Sequence, residues 1–371
     1  MKARCLILFL GLFLNVLFSQ NKKSSALNTS PIDTLLKMDL DSQLGSSPLF
    51  YQNRIYTSEL SGLLSCFDIT GKKIWHRNTS STLHSRPVIA DNILCTATSN
   101  NEIITFRLDT GDQIQSLGIE DSITTDLTLM QYSGDKELLM PKSSDSKSSV
   151  IFGTKSGKIY CFDLETLQIY WINKDASGII KSRLFALDNR ILFTCSDGYL
   201  YSIDARNGLL NWRWKEKAET DFSNSEILSD GRKIYIYDNE YSLFSIDLLL
   251  GNLTWKSTAK VFGKVGISND KKKLYAKGLY SKLFIISTLD GKVLKGIKRN
   301  YLFENDNISP FEYKGQILFT NWNSIFSLNE KFEEENVFTY GDSTINTFMP
   351  IDKNRFLVSN SNKTIIIFSI R

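Results

Sequence analysis

The chain contains few of the residues that mark metal, haem or hydrolytic sites. Its 371 residues include only 2 histidines, 5 cysteines and 6 prolines. His76 and His84 have no cysteines at a zinc-binding spacing, and the chain has no CxxCH, GxSxG, HExxH or phosphate-binding glycine loop. Both histidines are interpreted as surface or loop residues. A catalytic serine and aspartate pair without a motif stays open as an alternative, because sequence alone does not show which side chains meet.

An excess of charge of one sign is also lacking. The 44 basic side chains nearly balance the 40 acidic ones, for a net charge of +4. Nucleic-acid binding depends on clustered Lys and Arg that neutralise phosphates, so no nucleic-acid partner is predicted. Hydrophobic residues make up 42% of the chain and aromatic residues 12%. This composition indicates a globular protein with a large core.

Long apolar runs are absent except at the N-terminus, where Cys5–Phe18 follows Lys2 and Arg4. This order is typical of a signal peptide, and we expect cleavage near Ser19. The run is shorter than the roughly 20 residues that span a bilayer, so a permanent transmembrane anchor is the weaker alternative. Cys5 precedes the run, which argues against lipoprotein processing. The protein is predicted to be exported to the periplasm or the cell surface.

Cysteines at a CxxC spacing are missing as well. The four cysteines beyond the predicted signal peptide are Cys66, Cys95, Cys161 and Cys195. In an exported protein they could pair, but disulfide frameworks are typical of small domains that lack a core. We therefore expect buried free thiols.

What the chain does have is an internal repeat, seen first in CFDITGKKIW at residues 66–75. The position of Asp68 is occupied in the later copies by Arg107, Asp163, Asp204, Asp247, Ser287, Ser327 and Ser369. Consecutive copies are 39 to 43 residues apart, except for a step of 56 residues into the third copy. Each interval contains short alternating runs typical of β-strands, separated by Gly, Asn, Asp and Ser. About 42 residues with four strands is the size of one β-propeller blade.

The eight copies predict an all-β fold, an eight-bladed β-propeller of four-stranded blades. The chain ends one strand early, and the run at residues 34–40 precedes the first complete copy. We expect this N-terminal strand to close the last blade, which would hide two strand edges.

The predicted domain organisation has three parts. Residues 1–19 form the signal peptide, 20–33 a flexible linker and 34–371 a single propeller. The 56-residue step indicates an insertion in the third blade, around residues 132–149. The insertion is either a disordered loop or a docking element for a partner.

Each repeat residue has a predicted structural role. The aspartates suit a tight hairpin, where a short side chain accepts backbone N–H bonds; they are Asp68, Asp163, Asp204 and Asp247. Glycines supply a positive φ after them; they are Gly71, Gly111, Gly208, Gly251 and Gly291. Four of the six tryptophans share one repeat position; they are Trp75, Trp171, Trp212 and Trp255. We interpret them as wedges between blades, the alternative being a platform for a quinone or sugar.

The pattern G-x-L-x-x-x-D-x-x-T-G-x-x-x-W resembles the pyrroloquinoline-quinone-type propeller repeat. SGLLSCFDITGKKIW and DGYLYSIDARNGLLNW are close matches, and the last three copies are degenerate. The resemblance covers essentially all of the chain beyond the signal peptide. It implies the fold but not one function, because this repeat serves both quinone dehydrogenases and non-catalytic scaffolds.

Resemblance to the quinone dehydrogenases of this family implies a calcium ion, a catalytic Asp and Arg, adjacent cysteines and long loops that form a cofactor pocket. The chain has no Cys-Cys pair and little sequence beyond its repeats. Among the non-catalytic scaffolds, the chain is similar to exported propellers of outer-membrane β-barrel assembly. We therefore predict a non-catalytic, monomeric scaffold ring with envelope or outer-membrane proteins as partners and no cofactor. The alternative is a quinone-dependent enzyme, or a binder of a sugar or peptide, that uses the central channel.

Overall fold

The computed structural model describes residues 32–131, 148–299 and 308–370. These residues are all-β, and none of them is in a helix. Within these ranges there is accordingly no helix that could cross a membrane. The predicted signal peptide at 1–19 lies outside the described residues, as does nearly all of the 20–33 linker. The linker prediction was wrong at its last two residues, because Ile32 and Asp33 begin a strand.

The strands form sheets whose members follow one another along the chain. The first strand is β1 (Ile32–Asp39). Sheet A contains β2 (Leu49–Tyr51), β3 (Arg54–Ser58), β4 (Leu63–Asp68) and β5 (Lys73–Asn78). Sheet B contains β6 (Val88–Ala90), β7 (Ile93–Ala97), β8 (Glu102–Arg107) and β9 (Gln113–Gly118). Sheet C contains β10 (Thr128–Gln131), β11 (Ser148–Gly153), β12 (Ile159–Asp163) and β13 (Ile169–Asn173).

The second half of the chain continues this pattern. Sheet D contains β14 (Phe185–Leu187), β15 (Arg190–Thr194), β16 (Leu200–Asp204) and β17 (Leu210–Trp214). Sheet E contains β18 (Leu228–Ser229), β19 (Lys233–Tyr237), β20 (Ser242–Asp247), β21 (Leu253–Ile267), β22 (Lys273–Gly278), β23 (Lys282–Ser287) and β24 (Val293–Lys298). Sheet F contains β25 (Phe311–Tyr313), β26 (Gln316–Asn321), β27 (Ser324–Leu328) and β28 (Glu334–Thr339). Sheet G contains β29 (Ile345–Pro350), β30 (Arg355–Asn360) and β31 (Thr364–Ile370), with β1 at its edge.

Sheet G joins the two ends of the described chain. β1 runs antiparallel to β31, with Ile32 opposite Ile370 and Asp39 opposite Thr364. The strand predicted at residues 34–40 thus lies at 32–39 and pairs as expected. Because β1 covers the edge of the last strand of the chain, the first sheet along the chain packs against a complete four-stranded neighbour.

The predicted insertion at residues 132–149 falls between β10 and β11. Residues 132–147 lie outside the described residues. Its last two residues were assigned wrongly, because Ser148 and Ser149 belong to β11 and are buried. Ser148 lies opposite Gln131 in the antiparallel pair of β10 with β11.

Sheet E has seven strands because β21 is 15 residues long. Its first half pairs with β20, where Trp255 lies opposite Ser245. Its second half pairs with β22, where Ile267 lies opposite Leu274. The register of the β21–β22 pair shifts between Val261 and Val265. The two halves of this continuous strand therefore pair with different neighbouring strands.

The hydrophobic core is divided among the spaces between consecutive sheets. One cluster joins Leu64 of sheet A to Leu94 of sheet B, and another joins Phe368 of sheet G to Leu318 of sheet F. The described residues contain eight such clusters, each with members from two neighbouring groups of strands. Sheets that are buried on both faces need apolar residues on both, which explains runs such as Thr364–Ile370.

The four cysteines described by the structure are buried and form no disulfide: Cys66, Cys95, Cys161 and Cys195. Burial raises the pKa of the Cys161 thiol to about 12 and that of Cys195 to about 11. Thiolate is the reactive form, so these thiols are expected to be inert in the folded protein.

We expect a maleimide reagent to label none of these four thiols in the native protein at pH 7, and all four in 6 M guanidinium. The measurement is mass spectrometry after labelling under each condition. Cys5 provides an internal control, because a chain that keeps residues 1–19 carries one additional thiol. Rapid native labelling of Cys66 or Cys195 would contradict the observed packing.

Candidate functional site

The repeat aspartates hold the turns between the third and fourth strands of the sheets. Asp68 Oδ1 accepts hydrogen bonds from Thr70 N at 2.8 Å, Thr70 Oγ1 at 2.6 Å and Lys72 N at 3.0 Å. These bonds, chiefly that from the Thr70 hydroxyl, lower the pKa of Asp68. The carboxylate is thus used within its own turn.

The other predicted aspartates make the same type of contact. Asp163 accepts from Glu165 N at 2.9 Å, Asp204 from Arg206 N at 2.8 Å and Asp247 from Leu249 N at 2.9 Å. The side chain of Arg206 also bonds to Asp204, which lowers the pKa of that carboxyl group. Each aspartate therefore bonds a backbone N–H group two residues further along the chain.

The repeat alignment is wrong for the seventh copy, in which Ser327 was predicted to match Asp68. Ser327 lies inside β27, opposite Leu318, rather than at the turn. The turn residue is Asn329, whose Oδ1 accepts from Lys331 N at 2.9 Å and from Glu333 N at 3.0 Å. Asparagine provides the same acceptor as aspartate, but the degenerate sequence here has neither the Thr-Gly nor the Trp that marks other copies.

The predicted tryptophans each contact a predicted glycine of the next hairpin along the chain. Trp255 Nε1 donates to Thr288 O at 3.0 Å, and its ring lies over Gly291, where an added Cβ would be 2.5 Å from Cε3. Gly291 has a φ of +71°, so both its backbone and its surroundings exclude a side chain. The same contact joins Trp75 to Gly111, Trp171 to Gly208 and Trp212 to Gly251.

Interfaces without this pair use other residues. Gln115 lies opposite Thr105, which is the position that Trp75 has opposite Cys66 in sheet A. The side-chain amide of Gln115 donates to Glu165 O of the next turn. Leu167 occupies the glycine position there, with a φ of 57°. Gly71 instead contacts Leu36 of β1, whose Cδ1 would lie 2.8 Å from a Cβ added at Gly71.

Another interface that lacks the pair lies between sheets E and F. Lys295 holds the tryptophan position, and its Nζ lies 5.3 Å from the centre of the Phe332 ring. Phe332 has a φ of 63°. The contacts of the repeat motif therefore join neighbouring groups of strands, and each of the four indole N–H groups donates to a backbone oxygen of the next hairpin.

An apolar surface lies on the hairpins that end β16, β20 and β23. We name it the leucine edge; its residues are Leu209, Leu210, Leu249, Leu250, Leu253, Leu289 and Leu294. Leu289 is 80% exposed, Leu250 68% and Leu209 66%. The hairpins are neighbours, because Trp212 packs on Gly251 and Trp255 packs on Gly291.

The repeat fold does not require leucine at these turns. Leu249 and Leu250 follow Asp247, and the matching residues after Arg107 are Asp109 and Thr110. After Asp163 they are Glu165 and Thr166, and after Asp204 they are Arg206 and Asn207. Solvent exposure of a leucine side chain does not stabilise the folded protein. Contiguous exposed apolar patches on a protein surface mark interaction sites. The repeat pattern does not predict this surface.

A cavity of about 760 Å³ opens on the other face of the ring. It is lined by the segments that precede β6, β10, β14 and β18 and by the middle of β21. These are the first strands of consecutive strand groups, and β10 contacts both β6 and β14. The cavity therefore lies where successive first strands converge.

The cavity wall carries charges of both signs. Lys181 and Arg183 line it together with Asp126 and Asp238, and Lys264 forms an ion pair with Glu226. Asp238 is 2% exposed; its Oδ1 accepts from Ser242 N at 2.7 Å, and Oδ2 is buried with no hydrogen-bond partner.

Arg86 follows the cavity residue Ser85 and extends into the ring. Its backbone N donates to Asp126 Oδ1 at 2.8 Å, and Nη2 lies 4.0 Å from Met349 Sδ of β29. Nε is buried without a hydrogen-bond partner. Burial lowers the pKa of Arg86, and the positive charge of Arg183 lowers it further, against the opposite effect of Asp126. No motif pointed to this arrangement.

The remaining candidate residues are dispersed. His84 is exposed at the rim of the cavity and His76 is exposed on β5. Across residues 32–131, 148–299 and 308–370, no group of three His, Cys, Asp or Glu side chains is arranged to hold a metal ion.

Together, the sheets and the repeat define a class of protein, the β-propeller built from pyrroloquinoline-quinone-type repeats. The model of the family described as outer membrane protein assembly factor BamB matches residues 23–140 and 137–266, well over half of the chain. The chain belongs to this family.

Two relatives carry the same description. BamB of Shewanella oneidensis is 22% identical over 240 residues, which cover 62% of this chain and 57% of the relative. BamB of Kangiella koreensis is 22% identical over 266 residues, which cover 59% of this chain and 65% of the relative. The chain therefore matches less than two thirds of the length of either relative.

Solved structures agree on the fold. The crystal structure of BamB from Moraxella catarrhalis has a TM-score of 0.71 at 16% identity, covering 92% of this chain and 98% of that one. Sqt1 from Saccharomyces cerevisiae has a TM-score of 0.70 at 10% identity, covering 91% and 99%. At such identities the likeness shows the fold alone.

Proposed function

We propose that the protein is an exported, non-catalytic β-propeller that acts as a protein-interaction scaffold at the cell envelope, in outer-membrane protein assembly. The leucine edge is the observation that carries the proposal. It provides apolar surface on three adjacent hairpins, and Leu249 and Leu250 stand where the matching turns after Arg107, Asp163 and Asp204 have polar residues. The family match supplies the context, because its members are described as outer-membrane assembly factors.

The proposal has an architectural part, a ring of eight blades. The seven-stranded sheet E would be two four-stranded blades that share β21, because each half of that strand has its own partners. The eight core clusters support this count. Export would follow from cleavage of residues 1–19, with residues 20–31 as a tether and the ring as a monomer.

The leucine edge would bind an envelope protein through an apolar patch of its own. Leu249, Leu250 and Leu289 would be its centre, because they are at least 64% exposed and lie on the adjacent hairpins that follow β20 and β23. Burying a leucine side chain is worth about 1.5 to 3 kcal/mol, so three provide enough free energy for a specific contact.

The test is crosslinking in intact envelopes, with mass identification of the crosslinked proteins. We expect the triple variant L249S/L250S/L289S to lose at least about tenfold of the crosslinking to outer-membrane assembly proteins. The double variant I74S/I114S is the matched control, since these residues are about 40% exposed on strands of sheets A and B. The triple variant should melt like the wild type, because its replaced side chains are at least 64% exposed.

The result that would reject the surface is an unchanged set of crosslinked partners in the triple variant. Crosslinks to lipid alone would equally reject a protein-binding role. The non-catalytic part is tested by adding pyrroloquinoline quinone and calcium to the purified protein. Dye reduction with an alcohol or sugar would show an enzyme instead.

A further inference from the structure

One wall of the cavity carries two aromatic rings in contact with each other. Tyr241 and Phe262 both line the cavity, and their ring centres are 6.3 Å apart, with an angle of 47° between the ring planes. Tyr241 is 38% exposed. Its backbone O accepts a hydrogen bond from Val261 N at 2.8 Å, which joins the turn of Tyr241 to the strand that contains Phe262. The two rings therefore lie side by side on the wall.

The backbone conformation at Tyr241 is unfavourable for a tyrosine. Its φ is 64°, and its N donates to Asp238 O at 3.0 Å in the turn between β19 and β20. In sheets A to D the residue that makes the same turn bond is a glycine or an asparagine: Gly62, Asn101, Gly157 and Gly198. Glycine and asparagine adopt a positive φ readily, whereas a bulky side chain does so at a cost in free energy. The fold therefore does not require a tyrosine at this turn, and such strained residues are frequent at ligand sites.

A bulge in β21 brings the second ring to the cavity. Between Val261 and Val265, β21 has three residues where β22 has one. These residues are Phe262, Gly263 and Lys264, and all three line the cavity. Bulges redirect side chains and are frequent next to functional sites.

The charges on the cavity wall do not favour an ion. Three basic and four acidic side chains line the cavity. Lys264 pairs with Glu226, and Asp126, Asp221 and Asp238 each accept a hydrogen bond from a backbone N. Ten of the 24 lining residues are Ser, Thr or Asn, whose hydroxyl and amide groups both donate and accept hydrogen bonds. The wall therefore suits a neutral ligand with many hydroxyl groups.

We propose that the cavity binds a neutral oligosaccharide, one sugar ring of which packs on Tyr241 and Phe262. A pyranose ring has a face of C–H groups that packs on an aromatic ring, and hydroxyl groups at its edge that need hydrogen-bond partners. The aromatic pair and the polar wall supply both. A volume of about 760 Å³ lies within the range of small-molecule sites.

Hexose and N-acetylhexosamine units share this chemistry, and three probes distinguish them. Cellotetraose and tetra-N-acetylchitotetraose differ in the group at C2, and maltotetraose differs from cellotetraose in its linkage. Each is titrated by calorimetry into the chain that begins at Gln20, with polyethylene glycol of similar mass as the reference. We expect saturable binding of at least one probe, and the probe that binds most tightly identifies the sugar unit.

The variant Tyr241→Asn separates binding from folding. It removes the ring and introduces the residue type of Asn101, which tolerates a positive φ. We expect binding to weaken at least about tenfold, with a melting temperature no lower than that of the wild type. Tyr280→Asn is the matched control, because Tyr280 is 80% exposed in the corresponding turn between β22 and β23, with a φ of 61°, and does not line the cavity. It should bind like the wild type.

Phe262→Leu tests the second ring separately, since leucine preserves an apolar side chain at the bulge. It should also weaken binding of the sugar, and melting curves without ligand show that each variant is folded.

The proposal would be overturned if none of the three oligosaccharides gave saturable heat beyond the polyethylene glycol reference. It would also be overturned if Tyr241→Asn or Phe262→Leu bound as tightly as Tyr280→Asn. The site does not depend on the scaffold role, because the leucine edge lies on the other face and L249S/L250S/L289S should bind the oligosaccharide normally.

Discussion

A chain beginning at Leu40 should lose at least about 3 kcal/mol of unfolding free energy relative to a chain beginning at Gln20. β1 pairs with β31 from Ile32 to Asp39, and it buries Ile32 and Leu36 to 7% and 8% exposure. Burial of each such side chain is worth about 1.5 to 3 kcal/mol. Removal of the strand also exposes the edge of β31, an apolar segment with a strong tendency to pair.

The measurement is equilibrium unfolding in urea, together with light scattering to detect self-association of the exposed edge. The chain beginning at Gln20 is the control, since it lacks only residues 1–19. Equal unfolding midpoints for the two chains would show that ring closure by β1 contributes no stability.

The second large effect concerns the packing of tryptophan on glycine. Trp255→Ala should cost about 3 to 5 kcal/mol, because the indole is 8% exposed and fills the space above Gly291. Trp322→Ala is the matched control; this tryptophan is 40% exposed, so its replacement should cost clearly less than that of Trp255.

Gly291→Ala provides the reciprocal test. The new Cβ would clash with Trp255 at 2.5 Å, and the φ of +71° disfavours alanine. In the double variant W255A/G291A the clash disappears while the backbone strain remains. We expect the double variant to cost less than the two single variants together, by urea unfolding. Strict additivity would mean that the two residues do not share one contact.

Much of the fold could be predicted from the sequence because its signals are local and repeated. Asp68 and Gly71 specify a hairpin through bonds within five residues, and the same chemistry returns at Asp204 and Gly208. Where the local signal weakens, the prediction became inaccurate. The repeat spacing predicts a turn residue at Ser327, but the turn residue is Asn329, since the seventh copy has neither the Thr-Gly nor the Trp.

The candidate sites were much less accessible from the sequence. Arg183 and Asp238 are 55 positions apart in the chain, and both line the cavity because segments of consecutive sheets converge there. The leucines at 249, 250 and 289 were visible as departures from polar turns. Their contiguity nevertheless depends on the packing of each tryptophan against the next hairpin.

The sequence by itself determined the repeat, its turn chemistry and the glycines with a positive φ, because these depend on residues a few positions apart. Each tryptophan packs on a glycine 36 to 39 positions further along the chain, and this contact depends on the tertiary structure. The tertiary structure decided what joins the interfaces that lack this pair, as at Gln115 and Lys295. It also decided which charges share the cavity and which leucines share one edge. These are contacts between distant segments, set by closure of the ring through β1.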